Sequence, residues 1–169
     1  MEVRIRKGTL EDTESVLSLL REVQQGMVNQ DWLYLDDPAE VSRAMADGTM
    51  QVWVAAYRER LVGIFTILIP GLREENYGYD LGFNREDLLR VIHMDTAAVH
   101  PDYRGMGLQK QLMQAAETYA AEIGGRILLT TVHPDNSYSL NNILQQGYTV
   151  EKQLPKYGSV RCILRKDLP

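Results

Sequence analysis

The chain of 169 residues predicts a mixed α/β fold, a sheet with helices on its faces. Three observations predict it. Apolar runs of strand length, some alternating with period two, are interleaved with stretches whose apolar residues recur at helical spacing. Gly, Pro and Asx residues punctuate nearly every junction. The order that results, β-α-α-β-β-β-α-β-α-β-β, sets helices between strands as a layered domain requires. No repeat, low-complexity tract or linker interrupts it, so residues 1–169 read as a single domain, in keeping with roughly 100–200 residues per domain.

Each element has a local reason. Val3 and Ile5 alternate with Arg4 and Arg6, a short strand with one wet face. Thr9, with Asp12 three residues on, starts a helix through an imperfect capping box, and Val16, Leu17, Leu19, Leu20 and Val23 supply its apolar face up to about Gln25. Asp37-Pro38-Ala39-Glu40 opens a second helix with a cap, a first-turn proline and an acid; Gly48 closes it. Met50 to Tyr57 and Leu61 to Ile69 are strands joined by the charged turn Arg58-Glu59-Arg60. The second is apolar on both faces, as a central strand covered by helices is. Residues 71–87 show neither period, and a loop of that length inside a compact domain is often a functional lid.

Val91 to Val99 is a strand broken by the polar His93, Asp95 and Thr96. A helix follows with Leu108, Leu112, Met113, Ala116, Tyr119, Ala120 and Ile123 on one face, stopping at Gly124-Gly125. Ile127 to Val132 is a strand, and a short helix with Leu140, Ile143 and Leu144 on its apolar face ends at Gly147. Tyr148 to Leu154 and Val160 to Arg165 form a hairpin around Lys156-Tyr157-Gly158-Ser159.

Composition narrows the class. Apolar and charged fractions of 44% and 24% are ordinary for a soluble globular protein. No run approaches the ~20 apolar residues of a membrane span, and no apolar signal segment follows the charges of MEVRIRKG. With Cys162 as the single cysteine, an internal disulfide is impossible and a cytoplasmic setting is favoured. A net charge of −5 argues against nucleic acid as the main partner.

The stretch with the sharpest chemistry is Arg104-Gly105-Met106-Gly107, set between a strand and a helix. Glycines there let successive backbone N–H groups point into one concavity, and the helix N-terminus adds partial positive charge: physically, a pyrophosphate cradle. The P-loop pattern GxxxxGK[ST] is absent, and Lys110 holds the place of the third glycine in a Rossmann fingerprint.

The run Val99-x-Pro101-x-Tyr103-Arg104-Gly105-x-Gly107-Leu108 resembles the acyl-CoA-binding motif of the GNAT N-acetyltransferase family. A second family motif, N-x-x-A-x-x-x-Y-x-x-x-G-F, is met by Asn136, Ser139, Ile143, Gly147 and Tyr148, matching at its ends and departing in its middle. The resemblance covers nearly the whole chain. It implies a mixed, mostly antiparallel twisted sheet of six to seven strands flanked by about four helices, splayed at the acyl-CoA site. By position, backbone N–H groups of Arg104, Gly105, Met106, Gly107, Leu108 and Gln109 bind the pyrophosphate of acetyl-CoA. Backbone groups of Ala97, Ala98 and Val99 pair with the pantetheine arm, and Asn136 bonds it from the other side. The family has Gly or Ala where Gln109 stands, and backbone contacts tolerate that change.

The implied reaction is acyl transfer from a thioester to an amine. An amine such as lysine, with a reference pKa of ~10.4, needs a base near neutral pH. Where histone-type members place a glutamate, this chain has His93; Asp95, two residues on and on the same side of a regular strand, is the second candidate. His93 equally reads as a buried histidine bonded to a neighbouring loop. The Val99 backbone N–H is the oxyanion donor the resemblance implies. The tyrosine that commonly protonates the leaving thiolate falls at Ile143, which has no proton to give. Ser139, Tyr138 and Tyr157 are the remaining acid candidates, each also readable as packing or surface. That gap motivates the alternative of a catalytically inactive acyl-CoA sensor or regulatory module. No metal is expected, since His93, His100 and His133 lack ligand spacing.

The acceptor is expected to be a small-molecule or peptide amine, cationic if the acidic segments line its path. Those acids are Asp31, Asp36, Asp37, Glu40 and Asp47 in residues 29–48, and Glu74, Glu75, Asp80, Glu86 and Asp87 in residues 71–87. Trp32, Tyr34, Tyr77 and Tyr79 lie among them and either line a pocket or anchor loops. A monomer and a homodimer are both compatible with the sequence.

Overall fold

The computed structural model describes residues 2–169. Its elements are β1 (Arg4–Lys7), α1 (Thr13–Gln25), α2 (Pro38–Asp47), β2 (Met50–Tyr57), β3 (Arg60–Leu68), α3 (Arg85–Leu88), β4 (Val91–Val99), α4 (Leu108–Glu122), β5 (Ile127–Val132), α5 (Ser137–Gln145), β6 (Thr149–Lys156) and β7 (Ser159–Asp167). The seven strands form one mixed sheet in the order β1-β2-β3-β4-β5-β7-β6. Five helices accompany it where about four were expected. The addition, α3, is a single turn that Asn84 caps by accepting Asp87 N–H at 2.9 Å; four residues are too few to display a helical period.

Contacts divide the chain into two compact units: Met1–Leu68 with Thr96–Thr118, and Ile69–Asp95 with Tyr119–Pro169. The divisions fall inside β4 and α4, so no linker marks them.

In the first unit β1 and β3 flank β2 antiparallel, with Arg4 opposite Ala56 and Met50 opposite Leu68. The stripe Val16, Leu19, Leu20 and Val23 of α1, with Val41 and Met45 of α2, is buried on Met50, Val52, Val54 and Ile64. Burial of such side chains stabilises by about 1.5–3 kcal/mol each. Asp37 caps α2 by accepting Ala39 N–H at 2.8 Å, with Pro38 in the first turn. Thr9 heads a 3-10 turn, Leu10–Asp12, rather than α1 itself. The Asp12 carboxylate accepts Thr9 N–H at 2.8 Å and pairs with Arg6 at 2.8 Å.

In the second unit β4 and β5 pair in parallel over three rungs, Val91↔Ile127 to His93↔Leu129. β7 pairs antiparallel with both β5 and β6. Tyr77, Val91, Ile127, Leu129 and Ile163 form the core, with Leu81, Phe83 and Leu154 against it. The segment expected as a lid is therefore packed into the core. Asn76, fully buried, ties it together and to α3: its Nδ2 donates to Gly71 and Leu88 carbonyls at 2.8 and 3.1 Å, and its Oδ1 accepts Gly78 N–H at 2.8 Å. Cys162 is buried on β7, and burial pushes its thiol pKa up. Among the described residues no helix is long and apolar enough to cross a membrane.

Candidate active site

The first unit builds the glycine cradle from a fixed turn. His100 N–H donates to Val62 O at 2.8 Å, and Tyr103 N–H donates back to His100 O at 2.9 Å, closing the turn Pro101–Tyr103. The His100 ring locks that turn in place. Its Nδ1 accepts Asp102 N–H at 3.2 Å, and its Nε2 lies 3.0 Å from both Glu22 Oε1 and the Arg60 guanidinium. The Tyr103 ring meets it edge-on at 5.8 Å. Sequence reasoning weighed His100 only as a metal ligand and missed this buttress. Its signal was slight, a histidine directly before the proline of the motif.

Beyond the turn, Gly105 and Gly107 sit at φ +79° and +71°, on either side of Met106, and α4 begins at Leu108. Only glycine takes this pair of conformations without strain. A Cβ at Gly105 would meet no protein atom within 4 Å, so the backbone here borders open space. Among the described residues, the Gly105 and Gly107 amides donate to no protein acceptor. Leu108, buried, anchors the start of α4, Gln109 is half-buried, and Arg104 is exposed. Backbone amides without a protein acceptor at a helix N-terminus fit an anionic phosphate group. On β4, Ala98 is buried while Ala97 and Val99 are half-buried. Thr96 N–H donates to the Thr66 hydroxyl at 3.2 Å, a side-chain contact in mid-strand.

The second unit holds the titratable candidates. His93, on the last rung shared with β5, is 1% exposed. Its Nε2 accepts Tyr77 N–H at 3.1 Å, and its ring stacks on the Tyr77 ring at 3.9 Å. Burial, then the charges of Lys156 and Arg73, lower its pKa to about 3. The geometry is that of the second reading of His93, a buried histidine bonded to a neighbouring loop: the lone pair that could take a proton already accepts Tyr77 N–H. Asp95 is the next residue along β4 on that side and is half-buried.

Tyr77 is 3% exposed. Its hydroxyl meets the Tyr157 hydroxyl in a short hydrogen bond and accepts from the Thr131 hydroxyl. Burial first, then the Asp95 charge and Tyr157, hold its pKa well above the usual phenol value. Tyr157 stands at the β6–β7 turn with φ +56° and is 39% exposed. Lys156 beside it pairs with Asp80 at 3.1 Å and lies over the Tyr77 ring at 5.2 Å. Lys152 Nζ donates to Asp80 O at 3.0 Å.

The other acid candidates are placed differently. Tyr138 is 70% exposed. Ser139 is half-buried, and its N–H donates to Asn136 Oδ1 at 3.4 Å, so Asn136 caps α5. Ile143 is buried. Three of the five acids in residues 71–87 are already neutralised, Glu75 by Arg73 at 3.0 Å, Asp80 by Lys156 and Glu86 by Arg90 at 2.6 Å. Tyr77 and Tyr79 anchor the loop there, the latter through its hydroxyl to Leu72 O at 2.7 Å. Among the described residues no group of three His, Cys, Asp or Glu is placed to hold a metal.

Comparison with known proteins agrees with this architecture. The profile of the acetyltransferase (GNAT) family matches residues 14–148, and the chain belongs to that family. No curated protein sequence matches it significantly. Solved structures share its fold at low identity. A GNAT-family acetyltransferase from Streptococcus pneumoniae aligns at 17% identity and TM-score 0.75, covering 99% of this chain and 100% of that one. The PaiA N-acetyltransferase from Thermoplasma acidophilum, in complex with coenzyme A, aligns at 17% and 0.71 over 99% and 100%. The yncA structure from Salmonella typhimurium, with its cofactor acetyl-CoA, aligns at 17% and 0.74 over 100% and 95%.

Proposed function

We propose that this acetyltransferase moves an acetyl group from acetyl-CoA to a primary amine of a small molecule or peptide. The observation that carries the reading is the pair of left-handed glycines whose amides have no protein acceptor at the start of α4. Relatives of the same fold bound to coenzyme A and acetyl-CoA support it. When bound, acetyl-CoA supplies an activated thioester. In this reading the backbone N–H groups of residues 104–109 hold its pyrophosphate, the main chain of Ala97 to Val99 pairs with the pantetheine arm, and the Asn136 amide completes the grip.

The chain's own groups then divide the chemistry. Val99 N–H donates to the carbonyl oxygen as negative charge grows there. Asp95 takes the amine proton, directly or through one water, in place of the occupied His93. Tyr157 gives a proton to the departing sulfur. It is preferred over Tyr138 and Ser139 because its hydroxyl has a buried partner, and Ile143 offers none. With Asp80, Glu75 and Glu86 spent on internal pairs, any preference for a cationic acceptor rests on residues 29–48.

The test is thiol release from acetyl-CoA with spermidine, kanamycin and a blocked lysine peptide, run beside thermal melting with acetyl-CoA. Turnover with one amine and a raised melting temperature support the assignment. An unshifted melt at millimolar acetyl-CoA overturns it. Stabilisation without turnover on any amine assigns the chain to acyl-CoA sensing instead.

A further inference from the structure

We propose that Tyr77 is a positioning residue of the reaction, its hydroxyl fixing the Tyr157 hydroxyl at the point where β4 and β5 part. This rests on the transferase reading above and names a group that reading does not use. The pairing of β4 with β5 stops at His93↔Leu129, and the next same-face residues are Asp95 and Thr131. Tyr77 reaches this point from a different segment. Its ring lies on His93, its N–H is bonded to His93 Nε2, and its hydroxyl is bonded to Thr131. Four fixed contacts, counting Lys156 over the ring, leave the Tyr77 side chain one orientation.

Tyr157 sits in a two-residue turn with Gly158, both at positive φ, a geometry that favours Asn-Gly and disfavours tyrosine. A residue that only had to turn the chain would not need a phenol there. What the phenol gains is the bond to Tyr77 across a sequence separation of 80 residues. The tip is pinned a second time by Lys156 and Lys152 on Asp80.

Either hydroxyl can donate in the Tyr77–Tyr157 bond. In the direction proposed, Tyr77, kept protonated by its burial and by Asp95, donates to the Tyr157 oxygen, and the proton of Tyr157 is the one that moves. As the amine nitrogen bonds to the carbonyl carbon and the C–S bond breaks, the electron pair leaves on sulfur and takes that proton, giving the thiol. The phenolate left on Tyr157 keeps the Tyr77 hydrogen bond until the proton released by the amine restores it through solvent. The charged and titratable groups around the pair are Asp95 and His93 on β4, Lys156 on β6, and Asp80 and Arg73 in the loop.

The experiment compares Tyr77→Phe, Tyr157→Phe and the double variant, using acetyl-CoA and whichever amine of the panel the wild type acetylates. Phenylalanine at 77 keeps the ring on His93, so the fold and the acetyl-CoA melting shift are expected unchanged. Each single variant is expected to lose about 100-fold in kcat, at the low end of general-acid effects, with KM for acetyl-CoA within twofold. The double variant is expected to be no slower than Tyr157→Phe. The wild-type rate is expected to fall at alkaline pH, and Tyr157→Phe to abolish that fall. Full kcat in Tyr77→Phe, or losses that multiply in the double variant, overturns the proposal while leaving the transferase reading intact. A wild type without turnover overturns both. Should Tyr77→Phe melt early, Thr131→Val removes the same chain of bonds from its far end. There a severalfold loss in kcat supports the proposal, and wild-type kcat refutes it.

Discussion

The cradle at Gly105–Gly107 and the hairpin tip at Tyr157–Gly158 both put the chain in the left-handed region, for opposite reasons. In the function proposed for the cradle the working groups are backbone amides, so a side chain has nothing to contribute and glycine takes the conformation without strain. In the role proposed for the tip the working group is a side chain, so a tyrosine is kept where glycine or asparagine is easier. The cost, of order 1 kcal/mol, is offset by the contact with Tyr77. A site made of backbone shows itself as glycine spacing; a site made of side chains shows itself as a residue in the wrong conformation for its type.

That contrast can be broken at several points. The largest effect is expected from Gly107→Val, which puts a β-branched residue at φ +71°. Acetyl-CoA at 100 times its dissociation constant adds ~2.7 kcal/mol to wild-type stability. The variant is expected to lose that gain entirely in a melting experiment.

Next comes His93. Its folded pKa lies near 3 and its unfolded one near 6.5. As pH falls through that window the unfolded chain binds a proton that the folded chain does not. Stability should therefore drop by about 1.4 kcal/mol per pH unit from this residue alone. His93→Gln, whose amide oxygen can still accept Tyr77 N–H, should remove that slope in urea titrations between pH 6 and 4.

Lys156→Met should cost about 1–2 kcal/mol, intermediate between exposed and buried pairs, by leaving Asp80 without its partner. It should also raise the His93 pKa and so narrow the acid window. The smallest effect compares the two hairpins directly. Arg58, at φ +55°, is the other non-glycine residue at positive φ among the described residues. Arg58→Asn should gain about 0.5 kcal/mol, while Tyr157→Asn should show no gain because the bond to Tyr77 goes with it.

Most of the strands and long helices were readable because their signals are local. Asp37-Pro38 and Gly48 bound α2 where the capping chemistry puts them, and the apolar stripe of α1 is the one buried. The glycine loop was readable for the same reason. What escaped were pairings with no period. Asn76 reads as one more polar loop residue, yet it bonds three backbone groups and turns an expected lid into part of the core. His93 has the histidine type and strand position of a base, and only its partner sixteen residues earlier shows that its lone pair is occupied. The acids of residues 71–87 promised an anionic wall, and Arg90 and Lys156, both outside the segment, neutralise two of them. Tyr157 was one acid candidate of three, with Tyr138 and Ser139, until its neighbour was known.

The single cysteine has a practical consequence. Cys162 lies on β7 inside the protein, and its burial disfavours the thiolate that attacks disulfide reagents. A colorimetric thiol reagent added to the native enzyme should see no background from the protein. Every equivalent of colour then counts one coenzyme A released, and the same reagent, reacting with Cys162 only after denaturant is added, doubles as a gauge of unfolding in each variant.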